Sequence, residues 1–125
     1  MDSSAYVKLP LREPEEEELR AEMAEWGGYV SSALLGLEAI RACARHSEAH
    51  ARDARDWLID VSLLPIDERL LHLATSLQPA GLRSLDAIHL ATAISVRDDI
   101  GAFFTYDDRL AAGAKNHGLN VLAPA

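Results

Sequence analysis

Apolar positions along the chain alternate between helical and extended rhythms. Leu19, Met23 and Trp26 recur at spacings of four and three, one face of an α-helix. They predict a helix over residues 14–26, ended by Gly27 and Gly28. Residues 4–9 read as a short helical turn that stops at Pro10. Residues 29–31 read as a short strand. Leu34, Leu37, Ile40 and Ala44 share one side of a helix over 32–45, and another helix spans 48–59 with Trp57 and Leu58. Residues 61–66 form a strand. Asp67 then caps a helix carrying Leu70, Leu71 and Leu77. A loop over 78–83 precedes a helix that runs to about residue 96. A strand over 102–105, a helix over 107–117 and a strand over 120–122 complete the pattern. Strands alternating with helices predict an α/β fold whose parallel sheet is covered on both faces. Ligands in such folds sit at the carboxyl ends of the strands.

The helix beginning near residue 84 stands out. Leu85, Ala87, Ile88, Leu90, Ala91, Ala93, Ile94 and Val96 leave it little polar surface, so it reads as buried. Yet Asp86 lies in its first turn. A buried carboxylate is costly unless it is paired or binds a metal. Asp107 follows a short apolar run, where a strand hands over to a helix. Glu38 lies about two turns into the helix after the residue-29 strand, and Asp2 lies at the N-terminus. Acids at strand-to-helix junctions pose the question of one shared site.

Composition narrows the chemistry. The chain has 125 residues, 49% hydrophobic and 26% charged, which fits one domain over 1–125 with its own core. No run is long enough to span a membrane, and no signal-peptide pattern is present. Cys43 has no partner for a disulfide, and its plain reading is a small buried hydrophobe. These features lead to the expectation of a cytoplasmic protein. The net charge of -8 argues against simple phosphate binding through Lys and Arg. It is compatible with a nuclease, because acids that hold Mg²⁺ or Mn²⁺ let the metal meet the phosphate. Glu13 and Glu15 to Glu18 crowd one helix start, where they favour the helix dipole.

Each candidate also has a plainer reading. Asp86 could only favour its helix dipole, with Ser84 as the cap. Asp107 could be an N-cap, with Thr105 and Asp108 forming a capping box. Glu38 could form a surface ion pair with Arg41. His89, one turn after Asp86, reads as a packed core histidine. His46 and His50 have the spacing of half a zinc site but lack further ligands nearby. Lys8, Arg12, Arg83 and Arg109 are candidate phosphate guides or ordinary surface charge. Trp26 and Trp57 sit on apolar helix stripes and read as core or subunit interface.

Four segments together resemble a known family. Asp2-Ser3-Ser4-Ala5-Tyr6-Val7-Lys8, then Glu38 followed by Arg41, then Ser84-Leu85-Asp86-Ala87-Ile88-His89, then Thr105-Tyr106-Asp107 resemble the signature regions of PIN domains. The similarity is greatest to the VapC toxins of type II toxin–antitoxin systems, and it covers nearly the whole chain. It implies a three-layer α/β/α sandwich around a central parallel sheet. It implies that Asp2, Glu38, Asp86 and Asp107 converge at the carboxyl edge and bind one or two Mg²⁺ or Mn²⁺ ions for RNA hydrolysis. Asp2 and Asp107 would be principal ligands, with Asp86 and Glu38 completing the shell or orienting water. Ser3 or Ser4 resembles the family's hydroxyl beside the first acid, Thr105 the one beside the last, and Arg41 the basic residue after the glutamate. A homodimer and a cognate antitoxin that covers the acidic crevice are also implied.

One departure concerns the first strand. In the family the first acid ends a strand of several apolar residues, whereas here only Met1 precedes Asp2. The expectation is a truncated central strand, and a natural protein with a few more N-terminal residues. Three functions are compatible with the sequence: a metal-dependent toxin ribonuclease, a PIN-like RNA-processing nuclease outside toxin–antitoxin systems, and a non-catalytic PIN-like binding module.

Overall fold

The computed structural model describes residues 1–125. Eight helices and four short strands follow one another: α1 (Ser3–Tyr6), α2 (Lys8–Leu11), α3 (Glu16–Met23), β1 (Tyr29–Ser32), α4 (Leu34–Ala44), α5 (Glu48–Leu58), β2 (Val61–Leu64), α6 (Glu68–Thr75), α7 (Ser84–Ser95), β3 (Phe103–Phe104), α8 (Asp108–Asn116) and β4 (Val121–Leu122). A single 3₁₀ turn, Arg97–Asp99, follows α7.

The strands form two parallel pairs. Tyr29 lies opposite Val61 and Ser32 opposite Leu64, while Phe103 lies opposite Val121 and Phe104 opposite Leu122. The first two residues of the chain stand between the pairs. The Met1 amino group donates to the Val30 carbonyl at 3.1 Å, and the Asp2 N–H donates to the Phe104 carbonyl at 3.1 Å. Ser31 Oγ donates to the Met1 carbonyl at 2.6 Å. Met1 and Asp2 thus form a two-residue stub that joins β1 to β3, giving the spatial order β2, β1, stub, β3, β4.

Successive strand residues face opposite sides of a sheet, and Phe103 and Phe104 show the result. Phe104 packs with Met1, Tyr6, Leu19, Leu35 and Cys43 in the core under α1 to α5. Phe103 packs with Leu70, Leu90, Ala91 and Leu110 in the core under α6 to α8. A core on each face makes the chain a three-layer α/β/α sandwich. Tyr6 ties the first layer together by donating its hydroxyl to the Ala54 carbonyl at 2.6 Å.

Several local expectations change. Pro10 lies inside α2, in a first turn where its missing N–H is not needed. Trp26 and Leu77 fall beyond the ends of α3 and α6. The inward face of α4 is Leu34, Leu35, Ala39 and Cys43, and Leu37 is 61% exposed. Helix α7 is less enclosed than its composition implies, since Leu85 stands out at its start. Lys8 sits between Glu13 and Glu15, at 3.7 and 2.9 Å, which answers part of the acidic cluster at α3. No helix is long and apolar enough to cross a membrane.

Candidate active site

The four acids come from four different places in the fold and line one open cleft of about 640 Å³. Asp2 caps α1, Glu38 lies on α4, Asp86 lies in the first turn of α7, and Asp107 caps α8. Ser3, Ser4 and Arg41 line the same cleft, as do Arg45 and Arg83.

Asp2 is 2% exposed and has donors on both carboxylate oxygens. Oδ1 accepts from the Ala5 N–H at 3.2 Å and from Ser4 Oγ at 2.8 Å. Oδ2 accepts from Thr105 Oγ1 at 3.0 Å. Burial raises its pKa, and these donors offset only part of the rise. Thr105 is fully buried and joins two acids, because its Oγ1 also accepts the Asp107 N–H at 3.1 Å. Ser4 ties the same corner, accepting the Tyr106 N–H at 2.9 Å.

Asp107 is an N-cap, its Oδ1 accepting from the Leu110 N–H at 2.8 Å. A cap of this kind uses one oxygen, so capping and ligation can coexist in one side chain. Asp86 is half-buried and caps nothing. Arg83, not Ser84, occupies the N-cap position of α7, and it makes no side-chain cap bond. Burial raises the Asp86 pKa, and the nearby charges of Asp107 and Asp2 raise it further. Mutual repulsion of this kind is what a bound cation relieves.

Glu38 does not pair with Arg41. Its Oε1 lies 2.5 Å from Nε2 of His89, and Arg41 remains exposed at the rim. His89 is buried, as its packed-core reading expects, and it also bonds to this acid of the cleft. Its signal in the sequence was its place one turn after Asp86. Arg45, which also lines the cleft, was missed; it lies one turn beyond Arg41, just past the end of α4. Of the other basic candidates only Arg83 borders the cleft. His50 bonds through Nδ1 to Ser47 Oγ at 2.6 Å, and no third ligand joins it and His46.

The donor set fits a hard divalent cation. All four groups are carboxylates, and Asp86 is destabilised in its charged form by burial and then by its acidic neighbours. No group of three or more His, Cys, Asp or Glu side chains is closed around one point. Mg²⁺ usually keeps several waters and takes one or two carboxylates directly, so an open, four-acid cleft suits a hydrated ion.

A second cavity, of about 440 Å³, opens between β1 and β3 beside Met1. Trp26, Val30, Ile100 and Phe104 are among its walls, and no acid of the cleft borders it.

Comparison with known proteins gives concordant results. The family model of the PIN domain matches residues 1–116. Ribonuclease VapC46 of Mycobacterium tuberculosis (strain ATCC 25618 / H37Rv) is 46% identical over 125 residues, which cover 100% of this chain and 96% of the relative. Ribonuclease VapC47 of Mycobacterium tuberculosis (strain CDC 1551 / Oshkosh) is 38% identical over 129 residues, covering 99% and 95%. Ribonuclease VapC35 of the same strain is 33% identical over 132 residues, again covering 99% and 95%.

Proposed function

Because the chain belongs to the PIN-domain family, beside the VapC ribonucleases, we propose that it is a metal-dependent endoribonuclease and the toxin of a type II toxin–antitoxin system. The observation that carries this reading is the meeting of Asp2, Glu38, Asp86 and Asp107 in one cleft rimmed by arginines.

Asp2, Asp86 and Asp107, with Glu38, would hold Mg²⁺ or Mn²⁺. When bound, the ion supplies positive charge against the phosphate and acidifies a water molecule. The protein's own groups do the rest. Ser4 and Thr105 fix the Asp2 carboxylate by hydrogen bonds to both its oxygens. Asp107 is fixed by its cap bond. Arg41, Arg45 and Arg83 at the rim offer guanidinium groups suited to phosphate oxygens. They give a local positive edge to a chain whose net charge is -8.

The partners follow from membership of the family. RNA is the substrate, and the reaction takes place in the cytoplasm. A cognate antitoxin would cover the cleft, and an arginine from it would pair with the carboxylates in place of metal. The chain would act as a homodimer.

The test is cleavage of total RNA by purified protein, with Mn²⁺ or Mg²⁺ or with chelator, beside Asp86→Asn. The expected result is discrete cleavage that needs both metal and Asp86. Cleavage by Asp86→Asn at the wild-type rate would remove Asp86 from the site. Saturable RNA binding without cleavage would favour the binding-module reading, in which the acids are too spread to act together.

A further inference from the structure

Helix α7 turns Asp86 toward the cleft and, one turn later, turns His89 inward. His89 is 2% exposed. Its Nε2 lies 2.5 Å from Glu38 Oε1 on α4, and this is the one side-chain hydrogen bond Glu38 makes. An ionised carboxylate can only accept, so Nε2 carries the proton and donates. The other ring nitrogen, Nδ1, is buried with no partner.

That orphan nitrogen argues against a packing role. A histidine kept only to fill space could be replaced by an apolar side chain, with no polar atom left unsatisfied. A helix interior whose other buried polar side chain is Thr92 instead carries a ring with one nitrogen used and one unused. The used nitrogen reaches a carboxylate of the cleft. Local departures from good packing of this kind concentrate at functional sites.

We infer that His89 is a positioning residue for Glu38. Glu38 is partly exposed on α4, beside the exposed Leu37, and nothing else anchors its carboxylate. The Nε2–H of His89 holds one oxygen, Oε1, and leaves Oε2 for the cleft. His89 thereby sets where the fourth carboxylate stands relative to Asp2, Asp86 and Asp107. This inference rests on the reading of the cleft as a metal site. Outer partners that orient ligands commonly change metal affinity by about 10–100-fold when lost.

The experiment is Mn²⁺ titration by calorimetry of the full chain. It compares wild type, His89→Gln, His89→Met, Glu38→Gln and the double variant His89→Met/Glu38→Gln. His89→Met should weaken Mn²⁺ binding about tenfold. His89→Gln keeps an N–H donor and should recover most of that loss. In the Glu38→Gln background, His89→Met should weaken binding no further. Equal weakening in both backgrounds would show a general structural effect and overturn the inference, as would unchanged binding by His89→Met. Wild type with no saturable Mn²⁺ site would instead overturn the metal reading, and this inference with it. Should His89→Met lose its thermal transition, the His89 ring signals by NMR decide. They should move on saturation with Mg²⁺ in wild type and stay fixed in Glu38→Gln, and ring signals that ignore Mg²⁺ in wild type would overturn the assignment.

Discussion

Asp86 shows how a carboxylate of the cleft can weigh against the fold. Its carboxylate sits half-buried, with Asp107 and Asp2 close enough to raise its pKa beyond the effect of burial. A carboxyl group whose folded pKa lies above its unfolded one favours the fold while it is protonated. That favour is lost as pH rises through the folded pKa, so at neutral pH the ionised Asp86 weakens the metal-free protein. Asp86→Asn removes the charge and keeps the shape. In chelator at pH 7 it should therefore melt about 1–3 °C above wild type, while RNA cleavage is lost. The difference should shrink toward zero under acid, where Asp86 is protonated in the folded and unfolded chains alike. Differential scanning fluorimetry across pH measures it, and an Asp86→Asn variant less stable than wild type at pH 7 would contradict this account. Asp2 has a raised pKa too, but its three donors make it part of the scaffold as well as the site. Asp2→Asn would disturb both, which is why Asp86 is the cleaner probe.

At the scale of elements, helix starts carry much of the argument. Asp67 and Asp107 cap α6 and α8 with the same bond, an Oδ1 accepting the N–H three residues on at 2.8 Å. Only Asp107 borders the cleft. Asp67→Ala should cost about 1 kcal/mol of stability and leave cleavage intact. Asp107→Asn should keep the cap, since asparagine caps as well as aspartate, yet abolish cleavage. Urea melts and an RNA assay on the two variants separate capping from chemistry, and a fully active Asp107→Asn would remove that acid from the site. The two caps also show what the sequence conveys. Both were legible, because a cap is a local pattern of an acid before an apolar helix. The order of helices and strands was legible for the same reason. The inward face of α4 was misread, since Leu37 and Leu34 are both leucine and only the tertiary neighbours decide which is covered. The bond from His89 to Glu38 spans 51 residues and leaves no local trace. Nor does any periodicity reveal that Met1 and Asp2 stand between β1 and β3.

That bridge matters most for the molecule as a whole. Along β3, the Phe103 and Thr105 N–H groups donate to Asn120 and Leu122 of the β4 side. Backbone groups alternate in direction along a strand, so the Phe104 N–H faces the other way, toward the 440 Å³ cavity. Val30 faces it from the opposite edge, as its carbonyl accepts from Met1. The cavity is thus walled by two parallel strand edges, aligned with a stub that already bonds to both. Within it the Met1 ammonium is buried, and burial lowers its pKa from 8.0 to about 6. An amine with a lowered folded pKa destabilises the fold while protonated. The penalty is complete below about pH 6 and disappears as pH rises toward 8, so stability should climb across that window. Joining a short apolar extension of valine and isoleucine to Met1 would replace the ammonium by an amide. The bond to the Val30 carbonyl would be kept, the charge would be gone, and the new residues would pair with both edges. Such an extended chain should melt at least about 5 °C higher, and its stability should no longer climb between pH 6 and 8. An extension of equal length made of serine and proline removes the charge too, but proline lacks the N–H that pairing needs. It should flatten the pH slope without the rise in melting temperature. The two effects therefore separate the buried charge from the open strand slot, and equal melting temperatures for the two extensions would show that the cavity does not accept a strand.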